Sequence, residues 1–585
     1  MEHSASPSNG TIAAQLAELA TLLKLEEGSA QSFRVRAYEK AVDGLRAMTR
    51  PAAELNLAHL LEVEGIGRST ALKIREYVDT GRMERLEALR RKYPPALVEL
   101  TRIPGMGPKT VLLVRDELGV ESVEQLREAL AAQRLRTLPG MGSKREEKIA
   151  RAVERLGFGE GTRRTPIIEA LPIARQLVAT LGALPEVRHI DYCGSLRRFS
   201  DTIGDIDILV ASTDPGPIMD KFVGLPVVAE VLGHGETKSA IVTTSGLQVD
   251  LRVVAPAQYG AALLYFTGSK AHNIELRQRA LAEGRTLNEY ELLDSVTGHV
   301  VASRTEKAIY RAFGLGFVAP EMREGIGEIG LAATGDLPRL AEVGDLRGDL
   351  HVHSTWSGDG RSPLEAMIAA VADRGLEYVA ITEHGEDLAI NGLSRAKVMA
   401  ERFVLKDLRV EYPDLTILHG AELNIGVDGS LDYDHDFLMG FDFCVASVHS
   451  HFDLAVVEQT LRLLRAISHP AVNVVGHLTG RRIGRRPGIE LDVPEILEAM
   501  AATGTGLEIN SHLDRLDAPA EVLRRGRDYP DLAYVISTDA HHTTELGNSR
   551  WGVQASRRGW VDKRRVANTW PRQRFLKWAA AKRSS

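Results

Sequence analysis

Apolar residues in the first part of the chain recur at helical spacing. Residues 11–25, TIAAQLAELATLLKL, and residues 33–48, FRVRAYEKAVDGLRAM, place them at positions i, i+3 and i+4. This periodicity gives each segment one apolar face, which is typical of amphipathic helices. No strand-like alternation interrupts the pattern. We therefore predict that the chain is helical up to about residue 164.

The pattern changes twice further along the chain. From about residue 165, short runs rich in β-branched residues (HIDYC, DIDILV, SAIVTT and LQVDLRVV) are separated by Gly and Asp clusters, which predicts an α/β or α+β sheet domain. Residues 316–340 have no long apolar face and fit a linker that packs on its neighbours. After residue 346, short apolar strands alternate with helix-length stretches, which is the layout of a (β/α) barrel.

Composition agrees with a multidomain protein. The chain has 585 residues, of which 44% are hydrophobic and 26% charged. These values exclude a disordered tail or a fibrous protein, and at about 100–200 residues per domain they predict three or more domains. Residues 1–164 carry 27 Lys and Arg against 23 Asp and Glu, although the net charge of the chain is −7. Residues 1–164 are therefore mildly basic, and the rest of the chain is acidic.

Two features bear on the compartment of the protein. No run of 18 or more apolar residues occurs, and the first residues, MEHSASPSNG, lack the charged and apolar regions of a secretory signal. We expect a cytoplasmic protein without a membrane segment. Cys193 and Cys444 lie far apart in apolar surroundings, so we expect reduced core thiols and no disulfide.

A Gly-x-Gly turn occurs three times in the helical region, in VEGIGRSTALKI (63–74), IPGMGPKTVLLV (103–114) and LPGMGSKREEKI (138–149). Two glycines allow a tight turn whose backbone amides, at a helix N-terminus, point toward an anion such as a nucleic-acid phosphate. One copy is equally well explained as a helix-turn-helix corner. Three copies, each with a nearby basic residue, resemble helix-hairpin-helix motifs, which hold DNA backbones without reading bases. The candidate DNA-binding residues are Gly65, Gly67, Gly105, Gly107, Lys109, Gly140, Gly142 and Lys144.

Three carboxylates stand out in the sheet region. Asp205 and Asp207 are two residues apart in a strand, so their side chains leave the same face. Asp250 lies inside the apolar run VDLRV, where a carboxylate is costly unless a cation meets it. A structural alternative is that Asp205 ends a turn, Asp207 caps a helix and Asp250 pairs with Arg252.

The segment CGSLRR, residues 193–198, favours a chemical role for these carboxylates. A Gly-Ser turn with two arginines supplies backbone amides, a hydroxyl group and guanidinium forks, all suited to triphosphate oxygens. Three carboxylates beside such a turn describe a two-metal site for phosphoryl transfer.

Histidines concentrate in the barrel region, where 12 of the 18 occur after residue 350. His351 and His353 share one face of a strand, and further ligand-type residues come at or near the ends of later strands. A single histidine of this kind is more often a core or surface residue. The ensemble instead suits Zn²⁺, Mn²⁺ or Fe²⁺, and several such ions held together would activate water for attack on a phosphoester. These later residues are His384, Glu422, His449, His477, Asp539 and His541.

GSLRR, Asp205-Ile206-Asp207, Asp250 and YFTGSKAHNIELR together resemble the nucleotidyltransferase core of family X DNA polymerases, the group that includes DNA polymerase beta. The resemblance covers roughly residues 10–320. It implies that the three aspartates bind Mg²⁺ or Mn²⁺, and that Asp250 draws the proton from the primer hydroxyl. The nucleotide-binding residues that it implies are Ser195, Arg198, Gly204, Tyr265, Phe266, Gly268, Lys270, Asn273 and Arg277.

Some positions keep a second interpretation or depart from the family. Core packing is the alternative for Tyr265 and Phe266. Gln248 stands where vertebrate relatives carry a basic residue beside the third carboxylate. The resemblance aligns Lys73 with a Schiff-base lysine that removes 5′-deoxyribose phosphate in some members. A lysine that only contacts phosphate is the other interpretation.

Residues of about 346–560 resemble a PHP (polymerase and histidinol phosphatase) domain. The family pattern of nine ligands falls on His351, His353, Asp359, His384, Glu422, His449, His477, Asp539 and His541. The resemblance implies two or three Mn²⁺, Zn²⁺ or Fe²⁺ ions. Two departures concern Glu383, which stands where aspartate is usual, and Gly358, which lengthens the turn before Asp359.

The two resemblances imply a fold class and a division of the chain. We expect a helical helix-hairpin-helix region, an α+β palm and thumb, and a distorted (β/α)7-type barrel. The basic, tryptophan-rich end of the chain either packs on this barrel or contacts DNA. The implied domains are a helical domain over 1–95, a fingers-like domain with two hairpins over 96–164, a palm over 165–258, a thumb over 259–322, a linker over 323–345 and a PHP domain over 346–585.

The implied function is that of a monomeric repair enzyme. It would fill short gaps in gapped or primed DNA with deoxynucleoside triphosphates and process 3′ ends in its PHP domain. The spacing of the ligands does not separate an exonuclease from a phosphatase or an apurinic-site endonuclease. A phosphatase with inherited DNA-binding modules would leave the three aspartates without a role. A non-catalytic scaffold that binds DNA ends would leave the metal ligands without one.

Overall fold

The structure is a computed structural model that describes residues 9–27, 32–47, 52–63, 65–101, 103, 105–155, 164–388 and 391–584. The chain divides into two compact units. One contains residues 1–161 and 484–487, and the other contains residues 162–483 and 488–585. No helix among the described residues is both long and apolar enough to cross a lipid bilayer.

Helices make up the first unit, as its periodicity predicts. Their inward faces form one continuous core that includes Leu16, Leu45 and Ile74, each fully buried. The helices are α1 (Asn9–Glu27), α2 (Phe33–Ala47), α3 (Leu57–Leu61), α4 (Arg68–Thr80), α5 (Glu84–Lys92), α6 (Pro95–Leu100), α7 (Pro108–Leu118), α8 (Val123–Ala131) and α9 (Ser143–Arg155).

The second unit begins with a five-stranded sheet. Its strand order is β2-β4-β7-β6-β5, with β4 and β7 parallel and the other neighbours antiparallel. The strands of this part of the unit are β1 (Thr165–Pro166), β2 (His189–Tyr192), β3 (Thr202–Ile203), β4 (Ile206–Ala211), β5 (Val228–His234), β6 (Lys238–Thr243), β7 (Gln248–Val254), β8 (Arg285–Leu287), β9 (Leu292–Asp294) and β10 (Val300–Ala302). The sheet strands coincide with the four predicted runs and add β5.

Helices cover this sheet and continue beyond it. They are α10 (Ile167–Gly182), α11 (Gly194–Arg197), α12 (Gly216–Val223), α13 (Tyr259–Thr267), α14 (Lys270–Ala282), α15 (Glu306–Ala312) and α16 (Glu328–Thr334). A buried ion network joins α11 to the thumb, because Glu306 accepts hydrogen bonds from both Arg197 (2.8 and 2.9 Å) and Arg323 (2.6 Å). Arg323, at the start of the predicted linker, is completely buried.

Seven parallel strands in chain order form the barrel that follows: β11 (Gly348–Val352), β12 (Tyr378–Ile381), β13 (Thr416–Asn424), β14 (Phe443–Ser447), β15 (Val474–Val475), β16 (Gly506–Asn510) and β17 (Tyr534–Ser537). A parallel bridge between Val352 and Ala540 brings the last strand next to the first. The barrel is therefore nearly closed, which confirms the predicted (β/α)7-type fold. The ligand positions were predicted from six of these strands, and β16 was missed.

Helices surround the barrel, and the last one packs against the end at which the strands begin. They are α17 (Leu364–Asp373), α18 (Arg395–Glu411), α19 (His435–Leu438), α20 (Val456–Ser468), α21 (Val493–Thr503), α22 (Ala520–Arg525), α23 (Ser549–Arg558) and α24 (Arg572–Ala581). The ring of Phe575 stacks on Tyr378 at 4.2 Å, and Trp570 is buried beside it. The aromatic residues at the end of the chain thus pack on the barrel, which is the first of the two predicted interpretations.

The sheet and the barrel meet within the second unit. Phe199 stacks on Trp551 with ring centroids 6.1 Å apart, and Arg481 donates a hydrogen bond of 2.7 Å to Asp201. Both Phe199 and Asp201 closely follow the GSLRR turn. Cys193 and Cys444 are buried free thiols, as the sequence predicts.

Candidate functional site

The three aspartates of the sheet meet at one edge. Asp207 in β4 lies directly opposite Asp250 in the parallel strand β7, and Asp205 immediately precedes β4. Each offers an oxygen, and these oxygens all lie within 4.8 Å of one another. Burial and the two neighbouring carboxylates raise the pKa of Asp207 to about 7. Oxygen donors crowded in this way fit a divalent cation such as Mg²⁺.

The structural alternative for these carboxylates does not hold. Asp207 lies in a strand and caps no helix. The guanidinium group of Arg252 lies over the ring of Phe266, 4.6 Å from its centroid, and Asp250 has no ion-pair partner within 4 Å among the described residues. Nothing cationic in the described chain therefore meets the three carboxylates directly.

The GSLRR turn packs against this cluster. Gly194 has φ of +60°, and a Cβ at this position would lie 2.6 Å from Asp207 Oδ2. Ser195 follows it in α11, and Gly204 directly precedes Asp205. Arg198 donates a hydrogen bond of 2.6 Å to the carbonyl of Thr267 and one of 3.2 Å to Glu324. Its guanidinium is thus held beside the turn by Thr267 and by Glu324, which lies in the predicted linker.

We predict that Gly194→Ala lowers nucleotide incorporation about 100-fold, because the new methyl group must displace the Asp207 carboxylate and the backbone is strained at positive φ. The measurement is single-turnover incorporation at a saturating nucleotide concentration. Gly233→Ala is the matched control, since Gly233 lies in the same sheet with open space around it. Equal rates for the two variants would contradict the proposed contact.

Three of the predicted nucleotide-contacting residues of α13 and α14 line one pocket. Tyr265, Asn273 and Arg277 line a small pocket that is partly open to solvent. Asn273 donates a hydrogen bond of 2.7 Å to the carbonyl of Tyr265, and Arg277 donates one of 3.3 Å to the carbonyl of Asn273. Tyr265 is 36% exposed, which argues against a role in core packing alone.

The other predicted nucleotide contacts of this region lie on α13, on α14 or between the two helices. Phe266 is half-buried under Arg252. Gly268, at the end of α13, has φ of +68°. Lys270 is exposed at the first position of α14.

The three hairpin turns share one geometry. Gly65, Gly105 and Gly140 have φ values of +84°, +88° and +74°, and the second glycine of each turn directly precedes α4, α7 or α9. No atom lies within 4 Å of a Cβ placed at these second glycines, Gly67, Gly107 and Gly142. The N-termini of the three helices are therefore open to a ligand.

The predicted basic residues lie on the helices that follow these turns. Lys109 in α7 and Lys144 in α9 are exposed. Lys73 in α4 is partly exposed, with its Nζ 3.9 Å from Glu76 Oε2.

A second cluster lies at the C-terminal ends of the barrel strands, and Glu422 in β13 is at its centre. Its carboxylate oxygens lie within 3.6 Å of ring nitrogens of five histidines: His351 (3.4 Å), His353 (3.6 Å), His384 (2.9 Å), His449 (3.1 Å) and His477 (2.9 Å). Asp539 Oδ1 lies 3.7 Å from His351 Nε2 and 3.4 Å from His353 Nε2.

The ligand with the altered turn also reaches this cluster. Asp359 Oδ2 lies 3.1 Å from His384 Nε2 and 3.5 Å from His541 Nε2. The turn lengthened by Gly358 therefore still directs Asp359 inward. All nine residues of the family pattern come together.

The chemistry of the donors fits bound metal ions. Both ring nitrogens of His353, together with His351 Nε2 and His477 Nδ1, are buried and have no hydrogen-bond partner among the described residues. Burial, together with the neighbouring imidazoles of His541 and His384, lowers the pKa of His353 to about 3. A neutral imidazole is the form that binds a metal.

Several residues that orient these ligands were not found from the sequence. Buried Glu508, in the missed strand β16, lies 2.7 Å from His351 Nδ1 and so directs Nε2 of that ring toward the cluster. Asn424 Oδ1 is 2.7 Å from His449 Nδ1, and Asn510 donates to Asp539 Oδ2 at 3.1 Å. The sequence did contain a signal for Glu508. This residue is an acidic residue inside the short apolar run GLEIN, just as Asp250 is inside VDLRV.

Residues outside the nine-ligand pattern have other surroundings. Glu383, which replaces the usual aspartate, accepts hydrogen bonds from Ser354 and Ser357. The remaining barrel histidines contribute to none of the metal-type clusters found among the described residues. These histidines are His419, His435, His451, His469, His512 and His542.

Comparison with known proteins adds four family matches and several relatives. Residues 7–83 match a helix-hairpin-helix domain, 97–155 a SAM-like helix-hairpin-helix tandem, 262–324 the DNA polymerase beta thumb, and 349–512 the PHP domain. DNA polymerase/3′-5′ exonuclease PolX of Bacillus subtilis (strain 168) is 36% identical over 539 residues, which cover 92% of this chain and 93% of that protein.

Two further relatives match smaller shares of the chain. DNA polymerase lambda of Rattus norvegicus is 25% identical over 52% of this chain and 55% of its own length. A probable phosphatase of Syntrophotalea carbinolica is 31% identical over 28% of this chain and 65% of its own length.

Proposed function

The chain belongs to the family of the DNA polymerase/3′-5′ exonuclease PolX, and from that premise we propose that its two carboxylate clusters are two separate active sites. It is a family X DNA nucleotidyltransferase that carries a PHP-type exonuclease domain. The observation that carries the assignment of sites is the convergence of two ligand sets, one on β4 and β7 and the other at the barrel mouth.

In the polymerase site, Asp205, Asp207 and Asp250 hold two divalent ions, Mg²⁺ or Mn²⁺. When bound, these ions supply positive charge that lowers the pKa of the primer hydroxyl and stabilises the transferring phosphate. Asp250 accepts the proton of the 3′-hydroxyl. The 3′ oxygen then bonds to the α-phosphorus of the nucleotide, and pyrophosphate leaves.

Other residues of this chain position the nucleotide. Ser195, Arg198 and the backbone at Gly204 hold the triphosphate, and exposed Lys270 adds positive charge nearby. Tyr265, Phe266 and Gly268 contact the sugar. Asn273 and Arg277, which line the pocket beside Tyr265, contact the minor-groove side of the new base pair. The role of Lys73 as a lyase or a phosphate contact stays a prediction.

In the PHP site, the nine ligands hold two or three Mn²⁺, Zn²⁺ or Fe²⁺ ions. When bound, these ions activate water and neutralise charge on the phosphate. Glu508 and Asn424 fix the orientations of the His351 and His449 rings. The products of an exonuclease are a nucleoside monophosphate and a DNA strand shortened by one residue.

We further propose gapped or primed DNA and deoxynucleoside triphosphates as the partners, and a cytoplasmic monomer as the working form. The open N-termini of α4, α7 and α9 supply phosphate contacts. The test of function uses a duplex with a one-nucleotide gap. The unmutated chain should insert the complementary nucleotide with Mg²⁺ or Mn²⁺ and, without nucleotides, release monophosphates from a 3′ end. Absence of insertion would refute the proposed polymerase function. Release of inorganic phosphate alone would refute the proposed exonuclease function.

We predict that Lys109→Ala weakens binding of gapped DNA and reduces the slope of log affinity against log salt by about one unit, as expected for one lost phosphate contact. Fluorescence anisotropy between low and moderate salt measures this slope. Lys221→Ala, at the end of α12 in the other unit, is the control and should leave the slope unchanged. An unaltered slope for Lys109→Ala would remove this residue from the proposed DNA contacts.

A further inference from the structure

An arginine beside the PHP cluster has no role in the ligand set. Arg515 lies in the loop after β16, with its Nε 4.0 Å from Asp539 Oδ2 and only 14% of its side chain exposed. No described residue accepts a hydrogen bond from its guanidinium group. This group carries five N–H donors, so beside the cluster it offers a fixed positive charge and donors that remain available to a ligand.

The loop that carries Arg515 is held firmly in place. Arg481 donates hydrogen bonds to the carbonyls of Arg515 (2.8 Å) and Leu516 (2.5 Å). Asp517 accepts a hydrogen bond of 2.9 Å from the hydroxyl of Thr479, two residues after the ligand His477. The same framework therefore fixes both the metal-ligand strand ends and the backbone of Arg515.

The two carboxylate oxygens of Asp539 have different neighbours. Its Oδ1 lies 3.4 Å from His353 Nε2, inside the ligand cluster, whereas its Oδ2 faces Arg515 and accepts a hydrogen bond from Asn510. An anion bound against the cluster on this side would lie within reach of the guanidinium group.

We propose that Arg515 binds the non-bridging oxygens of the 3′-terminal phosphodiester during exonucleolytic cleavage. The inference rests on the proposed exonuclease function and adds a substrate-contacting residue to it. A phosphate offers two oxygens to the guanidinium fork, which suits bidentate hydrogen bonding. The contact with Asp539 alone, at 4.0 Å, leaves those donors without acceptors.

The reaction explains why such a contact matters for the rate. The oxygen of water bonds to phosphorus, the bond between phosphorus and the 3′ oxygen breaks, and that oxygen leaves as a hydroxyl after it gains a proton. Negative charge grows on the non-bridging oxygens as the new bond forms. A fixed guanidinium therefore stabilises the transition state more than the substrate.

The first test is kinetic. Arg515→Ala should lower kcat/KM for 3′-end degradation about 100-fold and leave gap filling unchanged. Arg515→Lys should recover part of the loss, because lysine keeps the charge but loses the fork. Arg572→Ala, exposed on α24 at the other end of the barrel, is the control and should retain full activity.

The second test does not depend on turnover. In an Asp205→Ala background with Mn²⁺, calorimetry should show that dTMP binds about tenfold more weakly once Arg515→Ala is added, as expected for one lost charge-assisted contact. Thymidine, which lacks the phosphate, serves as the control ligand, and its affinity should not change. The Mn²⁺ content, measured by mass spectrometry, should also stay the same.

Each outcome decides the proposal. Unchanged degradation and unchanged dTMP affinity in Arg515→Ala would overturn it. Loss of Mn²⁺ in that variant would also overturn it, since Arg515 would then serve Asp539 and not the substrate. If Arg515→Ala does not fold, the dTMP titration of Arg515→Lys decides in the same way. Failure of the proposed exonuclease function is distinguishable, because the unmutated chain would then release no monophosphate.

Discussion

Asp207→Ala is expected to reduce nucleotide incorporation into a one-nucleotide gap by at least about 1,000-fold, which corresponds to about 4 kcal/mol of transition-state stabilisation. Asp207 lies opposite Asp250 in the sheet and within 4.8 Å of both other carboxylates. Its loss would remove one of the three carboxylates that would hold the divalent ions. Single-turnover incorporation with Mg²⁺ measures the effect.

Two controls separate this loss from misfolding. Asp220→Asn, at an exposed position of α12, should retain full incorporation. Exonuclease activity of Asp207→Ala should equal that of the unmutated chain. The thermal midpoint of Asp207→Ala in EDTA should be equal or higher, because without a cation the three carboxylates repel one another. Substantial incorporation by Asp207→Ala would remove this residue from the active site.

Glu422→Gln is expected to reduce 3′-5′ exonuclease activity by at least about 1,000-fold while gap filling persists. Glu422 is 1% exposed, and its oxygens contact five imidazoles. Gln keeps the size of the side chain but loses the negative charge and one oxygen donor. Release of monophosphates from a labelled 3′ end with Mn²⁺ measures the activity.

The matched control for Glu422→Gln is His542→Ala. His542 follows the proposed ligand His541, but its ring is hydrogen-bonded to Thr544 outside the cluster. Removal of the His542 ring should therefore leave the exonuclease rate unchanged. Metal content should fall in Glu422→Gln and not in His542→Ala. Equal exonuclease rates for Glu422→Gln and the unmutated chain would contradict the proposed site.

The sequence predicted the polymerase carboxylates because their strand periodicity is local. Asp205 and Asp207 share a face through spacing alone, and Asp250 interrupts an apolar run. The parallel register that places Asp207 opposite Asp250 is a pairing between distant segments, so no local pattern shows it. The ion pair of Arg198 with Glu324 joins residues 126 positions apart and was missed for the same reason.

The barrel shows the same limit at its ligand-orienting residues. The candidate ligands could be predicted because they recur at strand ends, which a family pattern also marks. Glu508 lies inside a short strand and reaches the cluster through the ring of His351 and the backbone N–H of His477, so its role depends on contacts between distant segments. Arg515 follows no periodicity at all, and its position beside Asp539 emerges only from the fold of the loop after β16.

Anomalous diffraction from crystals of the full chain soaked in Mn²⁺ tests the central claim most directly. Two separate groups of peaks are predicted, one between Asp205, Asp207 and Asp250, and the other around Glu422 within the imidazole cluster. Soaked crystals in which either position lacks an anomalous peak, while the fold around it is unchanged, would contradict the claim that this chain gathers divalent ions at two active sites.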